Sequence, residues 1–149
     1  MGKWTAKYKF HVIYQKHFIF VNSYAPNDQS SHIVFLKSLF AQLKNLISDP
    51  EVNIVWGGDH NVVCDPKVDR YGGNPDPWNN STKLLSEIMV ALDLIDIWRV
   101  LNPTKKGFTW KRLNPVIIQS RLDYFLINDT CSLQSSVINT TIDLCGLKY

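Results

Sequence analysis

The sequence predicts an α/β protein in which helices pack on a β-sheet. Two observations predict this class: the elements follow the order β, β, α, β, α, β, and each has the hydrophobic period of its type. The 149 residues are 45% hydrophobic and 12% aromatic, which is enough for the core of one domain spanning residues 1–149. No internal repeat interrupts this order.

The first half of the chain is predicted to form a hairpin, a helix and a buried strand. Residues 8–14 and 17–24 are rich in aromatic and β-branched residues and are separated by two polar residues, which indicates a β-hairpin. Ser30 or Ser31 can cap a helix whose apolar residues follow 3.6-residue spacing. Residues 52–56 are nearly all apolar, which suits a strand in a sheet covered on both faces.

The second half alternates loops with a helix and a final strand. Residues 64–80 are rich in proline and glycine and are expected to form a long surface loop. A helix is predicted over about residues 82–94, followed by a short aromatic strand or turn at 108–110. Residues 116–127 are predicted to form one strand with Arg121 and Asp123 on the same face.

Charge and cysteine content narrow the function classes. A formal net charge of +3 permits a nucleic-acid partner without requiring one. The N-terminus contains no long apolar run, so neither a signal peptide nor a membrane span is expected, and the protein is predicted to be nuclear or cytoplasmic rather than secreted. Cys64, Cys131 and Cys145 are odd in number and widely spaced, which predicts reduced thiols without a metal site.

The segment Gly57-Gly58-Asp59-His60-Asn61 is the first candidate for chemistry. Asp59 and Asn61 follow a buried strand, and alternation predicts that their side chains face the same way. Asp59 can accept a proton from water, Asn61 can donate and accept hydrogen bonds, and the two glycines leave room for a substrate backbone. An Asx-type turn that merely closes the strand is the alternative.

Two further segments carry polar groups at predicted strand positions. Asn22 and Tyr24 share one strand face, and the Tyr24 hydroxyl can stabilise charge on a phosphate, although Tyr24 could also simply pack on its neighbour. Arg121 and Asp123 present a basic and an acidic group together. For these two residues a buried ion pair of structural value is the alternative.

Together these segments resemble the endonuclease/exonuclease/phosphatase superfamily. Within it they resemble the apurinic-type endonuclease domains of non-LTR (LINE) retrotransposons. The resemblance covers residues 18–127 and rests on the segments VNSYAPN, GGDHN followed by DPKVDR, LDLIDIWRVLNP, GFTW and SRLDYFLIN. It implies a four-layer α/β sandwich of the DNase I-like type that hydrolyses phosphodiesters with Mg²⁺ or Mn²⁺. The implied product is a DNA nick with a free 3′ hydroxyl that primes reverse transcription.

The resemblance also implies roles for individual residues. Tyr24 matches the family's active-site tyrosine, and Asn27 matches its phosphate-contacting asparagine. Asp59 and Asn61 match the pair that activates water and supports the metal. Asp123 matches the aspartate that orients the catalytic histidine.

DNA is the implied partner, with no membrane, no small-molecule cofactor and a monomeric state. In the GFTW segment and the basic residues around it, aromatic and cationic side chains suit a DNA backbone and groove, although the aromatics could equally anchor a solvated loop. Arg70 could contact phosphate or pair with Asp69. The residues predicted to contact DNA are Asn27, Arg70, Phe108, Trp110, Lys111 and Arg121.

The sequence departs from the family pattern in three places. The family's asparagine and metal-binding glutamate should precede Tyr8, and its Ser/Thr-Asp-His triplet should begin near Tyr149, so the domain is expected to be partial and inactive alone. His60 stands where the family is usually apolar, and alternation aims it away from Asp59 and Asn61. A degenerate remnant that at most binds DNA, or a superfamily phosphatase, are the alternative functions.

Overall fold

The described part of the chain contains two β-sheets and helices that cover them. A computed structural model describes residues 5–13, 16–47, 52–74 and 79–128, so Cys131 and Cys145 lie outside it. The elements in chain order are β1 (Thr5–Ile13), β2 (Lys16–Tyr24), α1 (Gln29–Leu46), β3 (Asn53–Asp59), α2 (Pro66–Asp69), β4 (Arg70–Tyr71), α3 (Asn79–Ala91), β5 (Leu94–Asp96), α4 (Ile97–Leu101), β6 (Trp110–Arg112), β7 (Ile118–Ser120) and β8 (Asp123–Asn128).

The main sheet has the strand order β1-β2-β3-β8-β5. β1 and β2 form the predicted antiparallel hairpin, while β2 and β3 run parallel and are connected through α1, as parallel neighbours require a crossover. β8 runs antiparallel to β3. The carboxyl ends of β2 and β3 and the amino end of β8 therefore meet at one rim of the sheet.

The second sheet is small and has the order β4-β7-β6. The prediction of one strand over residues 116–127 is wrong, because β7 belongs to this small sheet and β8 to the main one. Arg121 and Leu122 lie between the two strands, outside both ladders. The chain changes sheet here because Arg121 turns into the interior, where its guanidinium bonds to Asp69 and Asp96.

Helices α1 and α3 cover one face of the main sheet. α1 is capped by Asp28, whose side chain accepts a hydrogen bond from the Ser31 backbone N–H, rather than by Ser30 or Ser31 as the sequence suggested. α3 ends earlier than predicted, because Asp93 has a φ of 53° and the next residues form β5. The buried apolar side chains under these helices include Ile19, Val21, Phe35, Leu36, Leu39, Leu43, Ile54, Trp56, Leu85, Ile88 and Leu126.

The opposite face of the main sheet carries a second, smaller apolar cluster. Phe18, Ile97 and Ile127 form its buried part, and half-buried neighbours such as Phe20 and Phe125 pack against them. Apolar residues therefore lie on both faces of β3, as the continuous run in its sequence predicted. No helix in the described ranges is long and apolar enough to cross a membrane.

Candidate active site

Three predicted site residues occupy one row across the rim of the main sheet. Tyr24 of β2 pairs with Asp59 of β3, and Asp59 pairs with Asp123 of β8. Paired residues on neighbouring strands point to the same face with Cβ atoms about 5 Å apart. The structure thus brings these three side chains together, although they are separated by up to 99 positions in the sequence, from residue 24 to residue 123.

Tyr24 and Asp59 differ in their exposure to solvent. The Tyr24 side chain is 53% exposed and can reach a molecule that approaches the rim. Asp59 is half-buried, and this burial raises its pKa above the ordinary value of 3.8. A hydrogen bond from Asn61 opposes the rise in the Asp59 pKa, and the nearby charge of Asp123 adds to it. A carboxylate with a raised pKa is a better proton acceptor at neutral pH.

Asn61 reaches the site through a turn and not through strand alternation, which corrects the prediction. β3 ends at Asp59, and Asn61 has a φ of 50°. Its backbone N–H donates to Asp59 Oδ1 at 3.0 Å, which is an Asx-type turn, and its side-chain Nδ2 donates to the Ala25 carbonyl at 2.8 Å. The turn and the site role are compatible, because the Asn61 side chain still lines an open hollow beside the rim.

The space beside the two glycines before Asp59 is occupied by neighbouring strands of the protein. A Cβ at Gly57 would collide with the ring of Phe125, and a Cβ at Gly58 would collide with the backbone carbonyl of Ser23. Gly58 also has a φ of 132°, which side chains rarely adopt. The expected room for a substrate backbone at these glycines is therefore filled by neighbouring strands, and the open space lies elsewhere.

That open space is a hollow of about 520 Å³ between the rim and the small sheet. Three residues predicted to contact DNA line it, and Arg112, which the prediction did not include, lines it too. Arg70 donates to the Asn74 carbonyl at 2.6 Å and to Ser120 Oγ at 3.0 Å, and the Asp69 carboxylate bonds to Arg99 and Arg121. The polar and aromatic lining residues are Asn27, Asn61, Arg70, Asn74, Thr82, Trp110, Arg112 and Ser120.

The residues of the GFTW segment and the adjacent Lys111 differ in their position relative to the hollow. Trp110 is 43% exposed and lines the hollow, and Lys111 is also exposed. Phe108 is half-buried and is not among the lining residues. Thr109, which sequence reasoning missed, accepts hydrogen bonds at Oγ1 from the backbone N–H groups of Leu122 and Asp123 at 2.9 and 3.1 Å. Thr109 therefore positions the start of β8.

Arg121 was predicted to contact DNA and does not lie where it could. It is 2% exposed, and its guanidinium donates to both carboxylate oxygens of Asp69, at 2.7 and 2.8 Å, and to Asp96. The rings of Trp98 and Tyr124 flank the same guanidinium at about 5 Å. The structural alternative is the correct one for Arg121, although its partners are these two carboxylates and not Asp123.

The donor set at the rim fits a hard divalent cation. The carboxylates of Asp59 and Asp123 and the side-chain oxygen of Asn61 are the ligands that Mg²⁺ and Mn²⁺ prefer. The raised pKa of Asp59, which burial and Asp123 cause, marks a place where a positive charge would be stabilised. Among the described residues no three His, Cys, Asp or Glu side chains form a group, so this part of the chain supplies a partial ligand set.

Comparison with known proteins finds one similar sequence and several similar folds. No family model matches the chain. A transposon TX1 uncharacterized 149 kDa protein from Xenopus laevis is 33% identical over 125 residues, which are 83% of this chain and 9% of that protein.

Similar solved structures share the fold at low sequence identity. The AP endonuclease LMAP from Leishmania major superposes with a TM-score of 0.65 at 20% identity, over 83% of this chain and 45% of that one. The catalytic domain of APE2 from Xenopus laevis gives 0.63 at 17% identity, over 86% and 46% of the two chains. An AP endonuclease from Archaeoglobus fulgidus gives 0.62 at 18% identity, over 82% and 52%. The chain therefore spans about half the length of these structures.

Proposed function

We propose that the chain belongs to the endonuclease/exonuclease/phosphatase superfamily, among the apurinic-type endonucleases, and that it nicks DNA as part of a transposon-encoded, metal-dependent endonuclease. One observation carries the proposal: Tyr24, Asp59 and Asp123 form one row at the rim, and their chain neighbours Asn61 and Leu122 line a hollow together with two arginines. A phosphodiester needs a proton acceptor, hydrogen-bond donors and positive charge around one phosphorus. The rim supplies the proton acceptor, Asp59, and the lining of the hollow supplies the hydrogen-bond donors and the positive charge.

The residues of the rim have different roles in the proposed hydrolysis. Asp59, with its raised pKa, accepts the proton of the attacking water. Tyr24 donates its exposed hydroxyl to a non-bridging phosphate oxygen. Asn61 Nδ2 donates to the Ala25 carbonyl, so the part of Asn61 proposed to act in the reaction is its side-chain oxygen, as an acceptor.

A divalent cation would be held by Asp59, Asp123 and Asn61. When bound, Mg²⁺ or Mn²⁺ neutralises phosphate charge and stabilises the leaving oxygen. Thr109 supports this ligand set, because its hydroxyl fixes the backbone of Asp123. The rest of the ligand set is expected from sequence beyond the described residues.

DNA is the substrate that the hollow suits best. Arg70 and Arg112 supply two positive charges and Asn27 an amide, all facing one cavity. The exposed ring of Trp110 lies beside them and can stack on a base or press into a groove. A volume of about 520 Å³ is larger than an inorganic phosphate needs, which favours a nucleotide unit of a polymer over a free phosphate ester.

The similarity to a transposon-encoded protein suggests how the nicked DNA would be used. Cleavage on the proposed pattern leaves a 3′ hydroxyl at the nick, and a retroelement can extend that hydroxyl by reverse transcription. This role belongs to the whole protein, of which the chain is expected to be one partial domain. We therefore propose that the 3′ hydroxyl produced by this domain is the primer that the rest of the element extends.

A plasmid-nicking assay tests the proposal. A protein that carries this chain within a longer reading frame is incubated with supercoiled plasmid and Mg²⁺, and then with EDTA. Conversion to open circles that requires the metal and is lost in the variant Asp59→Asn supports the endonuclease. Absence of metal-dependent nicking in the longer protein contradicts it.

The partial ligand set among the described residues favours one second candidate, a remnant that binds DNA without cutting it. Such a protein keeps the arginines and Trp110 of the hollow but lacks a complete metal site. Binding that weakens as salt is added, with no cleavage by the longer protein, supports this candidate over the first.

A further inference from the structure

Two buried histidines meet at the turn that carries Asp59 and Asn61, and the proposed reaction uses neither. His32 lies on α1 and is fully buried, and His60 is 2% exposed. His32 Nε2 lies 2.8 Å from the backbone carbonyl oxygen of His60. A carbonyl oxygen can only accept, so His32 is the donor and carries its proton on Nε2.

The peptide unit between His60 and Asn61 is held at both of its polar ends. Its carbonyl accepts the bond from His32, and its N–H donates to Asp59 Oδ1 at 3.0 Å. Because a peptide unit is planar, fixing the direction of the carbonyl also fixes the opposite direction of the N–H. His32 thus acts through one rigid plane on the carboxylate of Asp59.

The same peptide plane determines where the Asn61 side chain goes. Asn61 has a φ of 50°, in the left-handed region that asparagine adopts more readily than most non-glycine residues. In that conformation its Nδ2 reaches the Ala25 carbonyl at 2.8 Å, and the Ala25 N–H donates to the Asp59 carbonyl at 2.9 Å. The bond from His32 therefore belongs to the set of contacts that fixes both site residues.

His60 holds the turn from the side of β8. Its backbone N–H donates to the Leu122 carbonyl at 2.8 Å, and its ring Nε2 lies 3.2 Å from the Tyr124 carbonyl. The His60 and Tyr124 rings stack with centroids 4.1 Å apart and planes 8° from parallel. The peptide that follows His60 is then held by the bond from His32 and by the bond from the Asn61 N–H to Asp59.

We propose that His32 is a positioning residue that sets the orientation of the Asp59 carboxylate and the Asn61 amide. His32 lies on α1, which begins two residues after Asn27. The helix therefore connects the turn at Asn27 with the turn at Asn61, and both asparagines line the hollow. The effect on nicking rests on the proposed function. The effect on the geometry of the turn stands without it.

The test compares two substitutions at this position. Gln places an N–H donor at the same distance along the side chain as His Nε2, so His32→Gln keeps the bond, whereas His32→Leu removes it. The matched control is Asn128→Leu, which removes two buried side-chain bonds to the Val52 carbonyl and the Ile54 N–H at the far end of β3. Asn128→Leu thus causes a comparable loss of buried hydrogen bonds away from the site.

Two measurements separate positioning from stability. In ¹⁵N-labelled protein, the Asn61 backbone amide signal reports its bond to Asp59, and we expect it to shift and exchange faster in His32→Leu only. In the nicking assay with the longer protein we expect roughly a 100-fold fall in kcat for His32→Leu with KM little changed, as for a misplaced catalytic group. His32→Gln should stay near the wild type in both measurements.

An Asn61 amide signal in His32→Leu that matches the wild type or the Asn128→Leu control overturns the inference. If no form of the longer protein nicks DNA, the proposed function fails, while the amide signal still decides the role of His32. A His32→Gln variant that behaves like His32→Leu also contradicts the role given to the Nε2 donor.

Discussion

Asp123 lies directly opposite Asp59 in the antiparallel pair of β8 and β3, so two carboxylates share one point of the rim. The arrangement costs stability, because burial and the neighbouring Asp123 both raise the Asp59 pKa. The same arrangement concentrates negative charge where a cation would bind.

Asp59→Asn should make the protein more stable while abolishing nicking. The folded-state pKa of Asp59 lies above its ordinary value of 3.8, so its ionised form disfavours the folded state at neutral pH. We expect a gain of at most about 1 kcal/mol at pH 7 after solvent screening. The gain should vanish below pH 3.8, where the carboxyl is protonated in both states. Urea unfolding at both pH values measures it, with Glu87→Gln on the exposed surface of α3 as control, and a destabilised Asp59→Asn at pH 7 would contradict this prediction.

Tyr24→Phe should impair catalysis and leave stability intact. The ring is 53% exposed, so the hydroxyl adds little to the core, whereas its loss removes a donor to the phosphate. Removal of one such donor reduces kcat by about 100-fold to 1000-fold. Nicking rates and a thermal melt of the same preparation measure both effects. An unchanged rate would exclude Tyr24 from the mechanism.

Arg121→Met should unfold or severely destabilise the protein without acting through DNA. The substitution removes the guanidinium that bonds to Asp96 and leaves the fully buried Asp69 with Arg99 as its remaining salt bridge. Breaking a buried ion pair on one side costs about 3–5 kcal/mol. The exposed Arg112→Met is the control and should keep the wild-type unfolding free energy. Similar urea midpoints for the two variants would show that Arg121 does not hold the sheets together.

Arg112→Gln should weaken DNA binding and reduce its dependence on salt. Arg112 is exposed and lines the hollow, where a guanidinium can replace a counterion on the phosphate backbone. Loss of one phosphate contact should lower the slope of log affinity against log salt by about 1. Binding isotherms at several salt concentrations measure the slope. Lys83→Gln, on the exposed surface of α3, is the control that should leave it unchanged.

Acid should destabilise the protein through its buried histidines. Burial lowers the pKa of His60 from 6.5 to about 3, so the folded state keeps this ring neutral while the unfolded state takes up a proton. Stability is fully present above pH 6.5 and is lost as the pH falls toward 3, by up to about 1.4 kcal/mol per pH unit for one histidine.

His60→Phe should flatten this pH dependence, because phenylalanine keeps a ring against Tyr124 and cannot be protonated. The measurement is the free energy of unfolding in urea between pH 7 and pH 4. His11→Phe on the exposed side of β1 is the control and should keep the wild-type slope. An equal slope in His60→Phe and the wild type would mean that other groups cause the acid sensitivity.

The sequence by itself determined the elements whose pattern is local. The hairpin, α1, β3 and α3 follow from hydrophobic periods that can be counted within each segment, with errors of a few residues at their ends. The motifs around Tyr24 and Asp59 also predicted the fold through a family resemblance, because a motif preserves residue order and strand position together. These predictions did not depend on contacts between segments that are distant in the sequence.

Only the tertiary structure decided the division of residues 116–127 and the role of Arg121. The Arg121 partners lie 52 and 25 positions away, at Asp69 and Asp96, so no local period could separate a buried ion pair from a DNA contact. Thr109 was missed for the same reason, since its hydroxyl bonds to backbone groups 13 and 14 positions away. Periodicity reports which face of a segment is apolar, whereas the partner of a polar group depends on which distant segments the fold places beside it.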